Sequence, residues 1–252
     1  MISPAIPRTA LVTGGAKRLG AAFARTLAAD GFRVAVHYNE SADAARALAA
    51  EIGGVALKAD LAVEADVVRL AMEARDTLGP LGVVVNNASR FERDELRDVT
   101  RASWDAHMEA NLRAPFVLIQ DLANHLPGGA EGVAINLLDQ RVWNLTPHFT
   151  SYTLSKAGLW TLTQTLALAL APRVRVAGIG PGPTLPSPRQ TQAQFDAQVA
   201  SVPLRRGPGL DEMAAALRFI LSTPSFTGQM LALDGGQHLN WAPTAPNAVP
   251  EE

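Results

Sequence analysis

TALVTGGAKRLG, residues 9 to 20, sets a short apolar and β-branched run directly before a glycine-rich turn and the start of a helical pattern. TALVT (9–13) reads as a strand, and Gly14, Gly15 and Gly20 lead into a helix running to about Asp30. Glycine permits a tight turn and lets the backbone come close to a ligand. The exposed N–H groups that open a helix then favour an anion such as a pyrophosphate. Tight packing alone would account for such a turn equally simply, so its surroundings decide. RVAVH (33–37), VALKA (55–59), GVVVNN (82–87), GVAINL (132–137), RVRVAGI (173–179) and QMLALD (229–234) continue as strand candidates. Helical patterns fall between them, over about 41–51, 64–78, 104–126, 152–171 and 211–221. GVVVNN is apolar without polar alternation, as expected of a strand covered on both faces. This alternation predicts an α/β fold: a mostly parallel sheet with right-handed crossovers and helices on both faces.

Composition narrows the function classes. The chain has 252 residues, a formal charge of −2 and no cysteine. Near-neutral charge gives no reason to expect a nucleic-acid or anionic-membrane partner. Without cysteine there is no disulfide framework, thiolate metal site or cysteine nucleophile, which is compatible with a reducing compartment. The first residues do not read as a signal peptide, and TLALALA is too short to cross a bilayer, so a soluble cytoplasmic protein is expected. Five histidines are scattered without metal-ligand spacing, so no metal is expected. No linker divides the chain, and residues 1–252 read as one domain. The Pro/Gly-rich GPGPTLPSPRQ (180–190), followed by the helical QAQFDAQV, is a candidate substrate loop over 180–203. APTAPNAVPEE, residues 242–252, reads as an irregular tail because proline recurs.

The end of the second strand bears on the cofactor. NAD-binding sites usually hold an acid there for the ribose hydroxyls. Here the strand runs into His37, Tyr38 and Asn39. Arg18 and Ser41 could instead meet a 2′-phosphate, since the guanidinium fork suits that anion, and NADP(H) is favoured over NAD(H). Glu40 is expected to face solvent. The plainer alternative makes Arg18 a surface residue and Ser41 only a helix cap. Asp60, after the third strand, could accept from an adenine amine or cap the next helix. Asn86 and Asn87 end the fourth strand, where buried amides must be satisfied, and Ala88 would offer a small surface to a ribose.

Tyr152 and Lys156 stand four apart, on one helical face. A phenol alone titrates near pKa ~10, and a neighbouring ammonium favours its ionised form and makes it a usable acid–base group. Such a pair also occurs by chance; its place after the fifth strand of a dinucleotide-type array makes it a catalytic candidate.

TGGAKRLG, NNAS, the Asn of ANLRAPF, YTLSK, the GPGP loop and ALDGG, in that order, resemble the short-chain dehydrogenase/reductase family over about residues 10–240. The resemblance implies one Rossmann-type, doubly wound domain with about seven parallel strands, and usually a homotetramer. It implies Tyr152 as acid, Lys156 in a proton relay and Asn111 helping to position a water. It implies cofactor contacts at Gly14, Lys17, Arg18, Leu19, His37, Tyr38, Asn39 and Ser41. Asp60, Leu61, Asn87, Ala88, Ser89, Tyr152, Lys156, Pro181, Gly182 and Thr184 complete that set, with Thr184 at the nicotinamide carboxamide. One departure matters: where the family generally has serine after the fifth strand, INLLDQRVW carries Asp139. An aspartate must be protonated to donate a hydrogen bond, which a partly dry pocket could bring about. Together with AKRLG, HYNES and Phe91 of NNASRF, this resembles the pteridine and dihydromonapterin reductases, with Phe91 stacking on the pterin and Asp139 and Tyr152 contacting it. Asp139 could instead cap a turn or pair with Arg141, and Phe91 could be core. Three readings follow: an NADPH-dependent dihydropterin reductase, the same chemistry on a ketone or aldehyde, and a non-catalytic NADP(H)-binding protein. Leu154, Leu159, Trp160, Leu162, Leu166, Leu168 and Leu170 spread around the tyrosine helix, which suits a helix–helix subunit interface.

Overall fold

A computed structural model describes residues 1–187 and 189–239. In chain order the elements are β1 (Thr9–Val12), α1 (Arg18–Ala29), β2 (Arg33–Tyr38), α2 (Ala42–Ile52), β3 (Val55–Lys58) and α3 (Glu64–Leu78). The second half comprises β4 (Val83–Asn86), α4 (Arg101–Met108), a π-helical segment (Glu109–Arg113), α5 (Ala114–His125), β5 (Gly132–Leu137) and α6 (Thr150–Leu170). It closes with β6 (Val174–Pro181), α7 (Gln192–Ser201), α8 (Leu210–Ser222) and β7 (Met230–Leu233). The irregular tail expected over 242–252 lies outside the described residues.

Seven parallel strands form one sheet in the order β3-β2-β1-β4-β5-β6-β7. The chain winds outward from β1 to β3, then crosses back to β4 beside β1 and winds the other way. That reversal opens a crevice at the carboxyl ends of β1 and β4, the usual ligand position in such sheets. Side chains alternate across the sheet as strand geometry requires. Ala10 and Val12 join Phe23, Leu27, Leu217 and Ile220 under α1 and α8, whereas Leu11 joins Leu70, Leu118 and Leu122 under α3 and α5. Both faces are thereby covered, which is why these strands carry so little polarity.

The helix expected over 104–126 is divided. Pro115 has no N–H to give to the carbonyl of Asn111, so the α-helical ladder cannot continue through it. The chain passes instead through the π-helical turn containing Asn111, a feature that recurs at functional sites.

Candidate functional site

The first turn is held by side chains from two other strands. The Gly14 N–H donates to Nδ1 of His37 at 3.0 Å, and Nε2 of the same ring lies 3.1 Å from the Ala59 carbonyl. The ring must accept at Nδ1 and donate at Nε2, a neutral tautomer. Burial holds the imidazole below the ordinary histidine range, against the opposing pull of Ala59 and Asp60. His37 therefore braces the turn from beneath. Asn87 does the same from β4, with Nδ2 donating to the carbonyls of Thr13 (2.9 Å) and Gly14 (3.1 Å). Gly14 has φ of +58°, and a Cβ at Gly20 would lie 2.2 Å from the Gly14 carbonyl oxygen. The turn and α1 come together only because both positions lack a side chain.

Arg18 turns towards the candidate substrate loop, donating to the carbonyls of Pro186 (2.8 Å) and Leu185 (3.2 Å). Ser41 stands at the N-cap of α2 without making a side-chain cap bond, which leaves its hydroxyl to another partner. Asp60 closes a local turn by accepting from the Ala62 N–H at 2.9 Å, and Val63 is the residue that precedes α3. Tyr38 is buried, whereas Asn39 and Glu40 are exposed at the end of β2.

A cavity of about 310 Å³ opens at the carboxyl ends of β4, β5 and β6. From the first turn it receives Arg18 and Leu19, and from the end of β4 Asn87, Ser89 and Phe91. Asp139, Arg141, Tyr152 and Lys156 form a second wall. Pro181, Gly182, Thr184, Leu185 and Ser187 roof it, and Arg189 of the same loop donates to the Phe91 carbonyl at 2.8 Å. The Thr184 hydroxyl is engaged locally with the Gly182 carbonyl at 3.0 Å. Gly14, Lys17, His37, Tyr38, Asn39, Ser41, Asp60, Leu61, Ala88 and Asn111 do not line this cavity. His37, Tyr38, Asn39, Asp60 and Leu61 lie at the ends of β2 and β3, on the side of β1 away from β4.

At the cavity wall the Tyr152 hydroxyl donates to Asp139 Oδ2 at 2.8 Å. Asp139 also accepts from the Arg141 N–H (2.8 Å) and from the Arg141 guanidinium (3.1 Å). Both alternatives weighed for this aspartate therefore hold: it caps the short 3₁₀ turn Gln140–Val142 and pairs with Arg141. Among the described residues, Asp139 thus accepts from Tyr152 and twice from Arg141. Arg141 is buried, and its guanidinium lies 5.6, 5.1 and 5.9 Å from the ring centres of Phe91, Phe149 and Tyr152. Phe91 stacks on Phe149 at 4.9 Å and meets Tyr152 edge-on at 4.6 Å while lining the cavity. Lys156 is buried, its ammonium donating to the Leu137 carbonyl at 2.7 Å and lying 5.8 Å from the Tyr152 ring centre. Burial lowers its pKa to about 8, against the attraction of Asp139.

The wall rests on polar contacts that local spacing gave no sign of. Asn86 donates to Asn136 at 2.8 Å and Asn136 to the Thr163 hydroxyl at 2.9 Å, pinning α6 to two strands. Asn111 joins the Arg90 backbone to Ser155. Arg141 is the cavity residue that the pairing alternative for Asp139 had already touched on.

A family model described as enoyl-(acyl carrier protein) reductase matches residues 14–238. FolM alternative dihydrofolate reductase 1 from Brucella suis, solved in complex with NADP, is 46% identical with a TM-score of 0.90, over 96% of this chain and 98% of that one. Its Brucella canis counterpart, also complexed with NADP, is 46% identical with a TM-score of 0.91, over 98% and 100% of the two chains. Among curated relatives, the probable galactose dehydrogenase GalD of Rhizobium meliloti (strain 1021) is 32% identical over 242 residues, 91% of this chain and 94% of that one. Fold, motif order and these likenesses agree that the chain belongs to the short-chain dehydrogenase/reductase family, closely related to its FolM-type members.

Proposed function

We propose that this protein is an NADP(H)-dependent reductase of a dihydropterin-like heterocycle. The observation that carries the reading is the hydrogen bond from Tyr152 to Asp139, on a cavity wall shared with Phe91. A flat heterocycle has an aromatic surface for Phe91 to cover and ring nitrogens to exchange hydrogen bonds with Asp139 and Tyr152. The FolM proteins of Brucella support it by likeness.

The glycine turn fits a dinucleotide. It runs directly into the N-terminus of α1, where the first N–H groups have no carbonyl of their own helix to meet, and the Ser41 hydroxyl makes no cap bond. Gly14, Lys17, Arg18, Leu19, Asn39 and Ser41 would hold its phosphates and ribose, with His37 and Tyr38 shaping the wall. Asp60 and Leu61 would border the adenine. Asn87, Ala88, Ser89, Pro181, Gly182 and Thr184 would flank the nicotinamide half. NADPH, when bound, supplies the hydride. Tyr152 gives its hydroxyl proton to the substrate heteroatom, and the buried Lys156 ammonium favours the phenolate left behind. Asp139 holds the hydroxyl in place until the substrate arrives, and Asn111 fixes the loop carrying Phe91. Residues 180–203 close the site as its substrate loop.

Following NADPH absorbance with dihydrobiopterin, dihydrofolate and a panel of ketones tests this. Turnover of a dihydropterin or dihydrofolate well above every ketone is expected. Preferential ketone turnover, or NADPH binding with no turnover at all, would overturn it.

We further propose that the protein is a cytoplasmic homotetramer. On α6, Leu154 and Leu168 are exposed, apolar surface that a second copy can cover. Light scattering at micromolar concentration should give four times the chain mass, and a monomer would contradict it.

A further inference from the structure

Phe91 is fixed through the residues on either side of it, by two parallel rungs. On one side, Asn111 Oδ1 accepts from the Arg90 N–H at 2.8 Å, while its Nδ2 donates to the Arg90 carbonyl (2.9 Å) and to the Ser155 hydroxyl (3.0 Å). On the other, His107 Nε2 accepts from the Glu92 N–H at 3.1 Å, and its Nδ1 lies 2.6 Å from the Ser151 hydroxyl. His107 and Asn111 stand four residues apart where α4 runs into the π-helical segment, and Ser151 and Ser155 stand four apart on α6. Each rung therefore joins the loop after β4 to α6 through the same intermediate helix. All four side chains are buried, and neither His107 nor Ser151 touches the cavity.

The His107 rung reaches both aromatic residues proposed to meet the substrate. Glu92 follows Phe91, Ser151 precedes Tyr152, and the two rings meet at 4.6 Å. Because Nε2 accepts a backbone N–H, the ring hydrogen sits on Nδ1 and points to Ser151. The Ser151 hydroxyl passes its own hydrogen to Asp94 Oδ2 at 2.5 Å. Asp94 then performs the capping that α6 cannot provide for itself. Phe149, at the N-cap, is in the left-handed region with φ of 57° and makes no side-chain cap bond. The Asp94 carbonyl accepts from the Thr150 N–H (3.1 Å) and its carboxylate from the Ser151 N–H (3.0 Å). A carboxylate at a helix N-terminus is favourable in itself. Burial holds His107 below the ordinary histidine range, against the opposing pull of Asp94, the Ser103 backbone and Glu92.

We propose that His107, together with Ser151 and Asp94, is a positioning residue that sets the placement of Phe91 against Tyr152, and that this placement, an aromatic surface beside a phenolic hydroxyl, selects a flat heterocycle over a small flexible carbonyl compound. The selectivity part rests on the dihydropterin reading above; the positioning part does not.

The test uses the full chain carrying His107→Ala, His107→Gln or Ser151→Ala, assayed with NADPH against dihydrobiopterin and 2,3-butanedione. Misplacing a wall by a fraction of an ångström should cost roughly tenfold in kcat/KM for dihydrobiopterin, mostly in KM, in the Ala variants. Butanedione turnover should change by less than about threefold, since it needs Tyr152 but no aromatic surface in register with it. His107→Gln, whose amide keeps one acceptor and one donor, should recover most of the loss. Ser151→Ala keeps its backbone bond to Asp94 and reports the same effect should His107→Ala fail to fold. Equal losses on both substrates without recovery in His107→Gln would overturn the proposal. If the unaltered protein reduces no dihydropterin, the functional reading fails by itself, and amide exchange judges the rung. His107→Gln should protect the Glu92 amide as the unaltered protein does, and Ser151→Ala should speed its exchange while leaving β4 unchanged. No change at Glu92 in Ser151→Ala would overturn the positioning role.

Discussion

At Asp139 a single carboxylate takes bonds from Tyr152, from the Arg141 backbone and from the Arg141 guanidinium. Replacing it by the serine usual in the family would therefore do more than exchange one hydrogen-bonding group for another. It would take the Asp139 carboxylate away from a buried guanidinium, and removing one partner of such a pair costs about 3 kcal/mol. Asp139→Ser should lower the urea-unfolding free energy by roughly that amount, and Asp139→Ser/Arg141→Leu should recover most of it. A single variant as stable as the parent would show that the pair contributes little. The position of Asp139 was legible in the sequence because it interrupts a recognisable motif. Its partner was not, since Asp-x-Arg spacing allows a pair without requiring one and the 3₁₀ turn decides. Arg18 is a similar case: its place in the glycine turn was readable, but its direction, towards the Leu185 and Pro186 carbonyls, depends on a loop far away in sequence.

Among the elements, the glycine turn is the most constrained. The Cβ of an alanine at position 20 would meet the Gly14 carbonyl oxygen at 2.2 Å and Asn87 Nδ2 at 2.6 Å. Backbone cannot yield as a flexible side chain can, and overpacking of this kind costs typically 1–3 kcal/mol. Gly20→Ala should weaken NADPH binding, followed by fluorescence titration, by about tenfold or more. Unchanged affinity would mean that the turn is not the dinucleotide site. Strands and helices such as β5 and α3 were legible to the residue because periodicity and apolar runs are local signals. The division between α4 and α5 was signalled only by Pro115, inside a pattern whose apolar periodicity ran on through it. The rung of His107, Ser151 and Asp94 carried no local signal, because its members come from three segments and meet only when the sheet is built.

Over the whole molecule, the strand order β3-β2-β1-β4-β5-β6-β7 brings the glycine turn, the Phe91 loop and the α6 residues to the carboxyl end of the sheet. Alternating strands and helices foretold that convergence, as parallel strands end on the same side. On the proposed function, this end of the sheet joins two separable roles, dinucleotide binding at the turn and proton delivery from Tyr152. Tyr152→Phe removes one hydroxyl from a buried ring and leaves the turn untouched. The most direct measurement pairs NADPH titration with dihydropterin turnover in that variant. NADPH affinity should stay within about twofold of the parent and kcat should fall by roughly 10²–10⁴-fold, the range for a lost general acid. Undiminished reduction by Tyr152→Phe would contradict the proposed function.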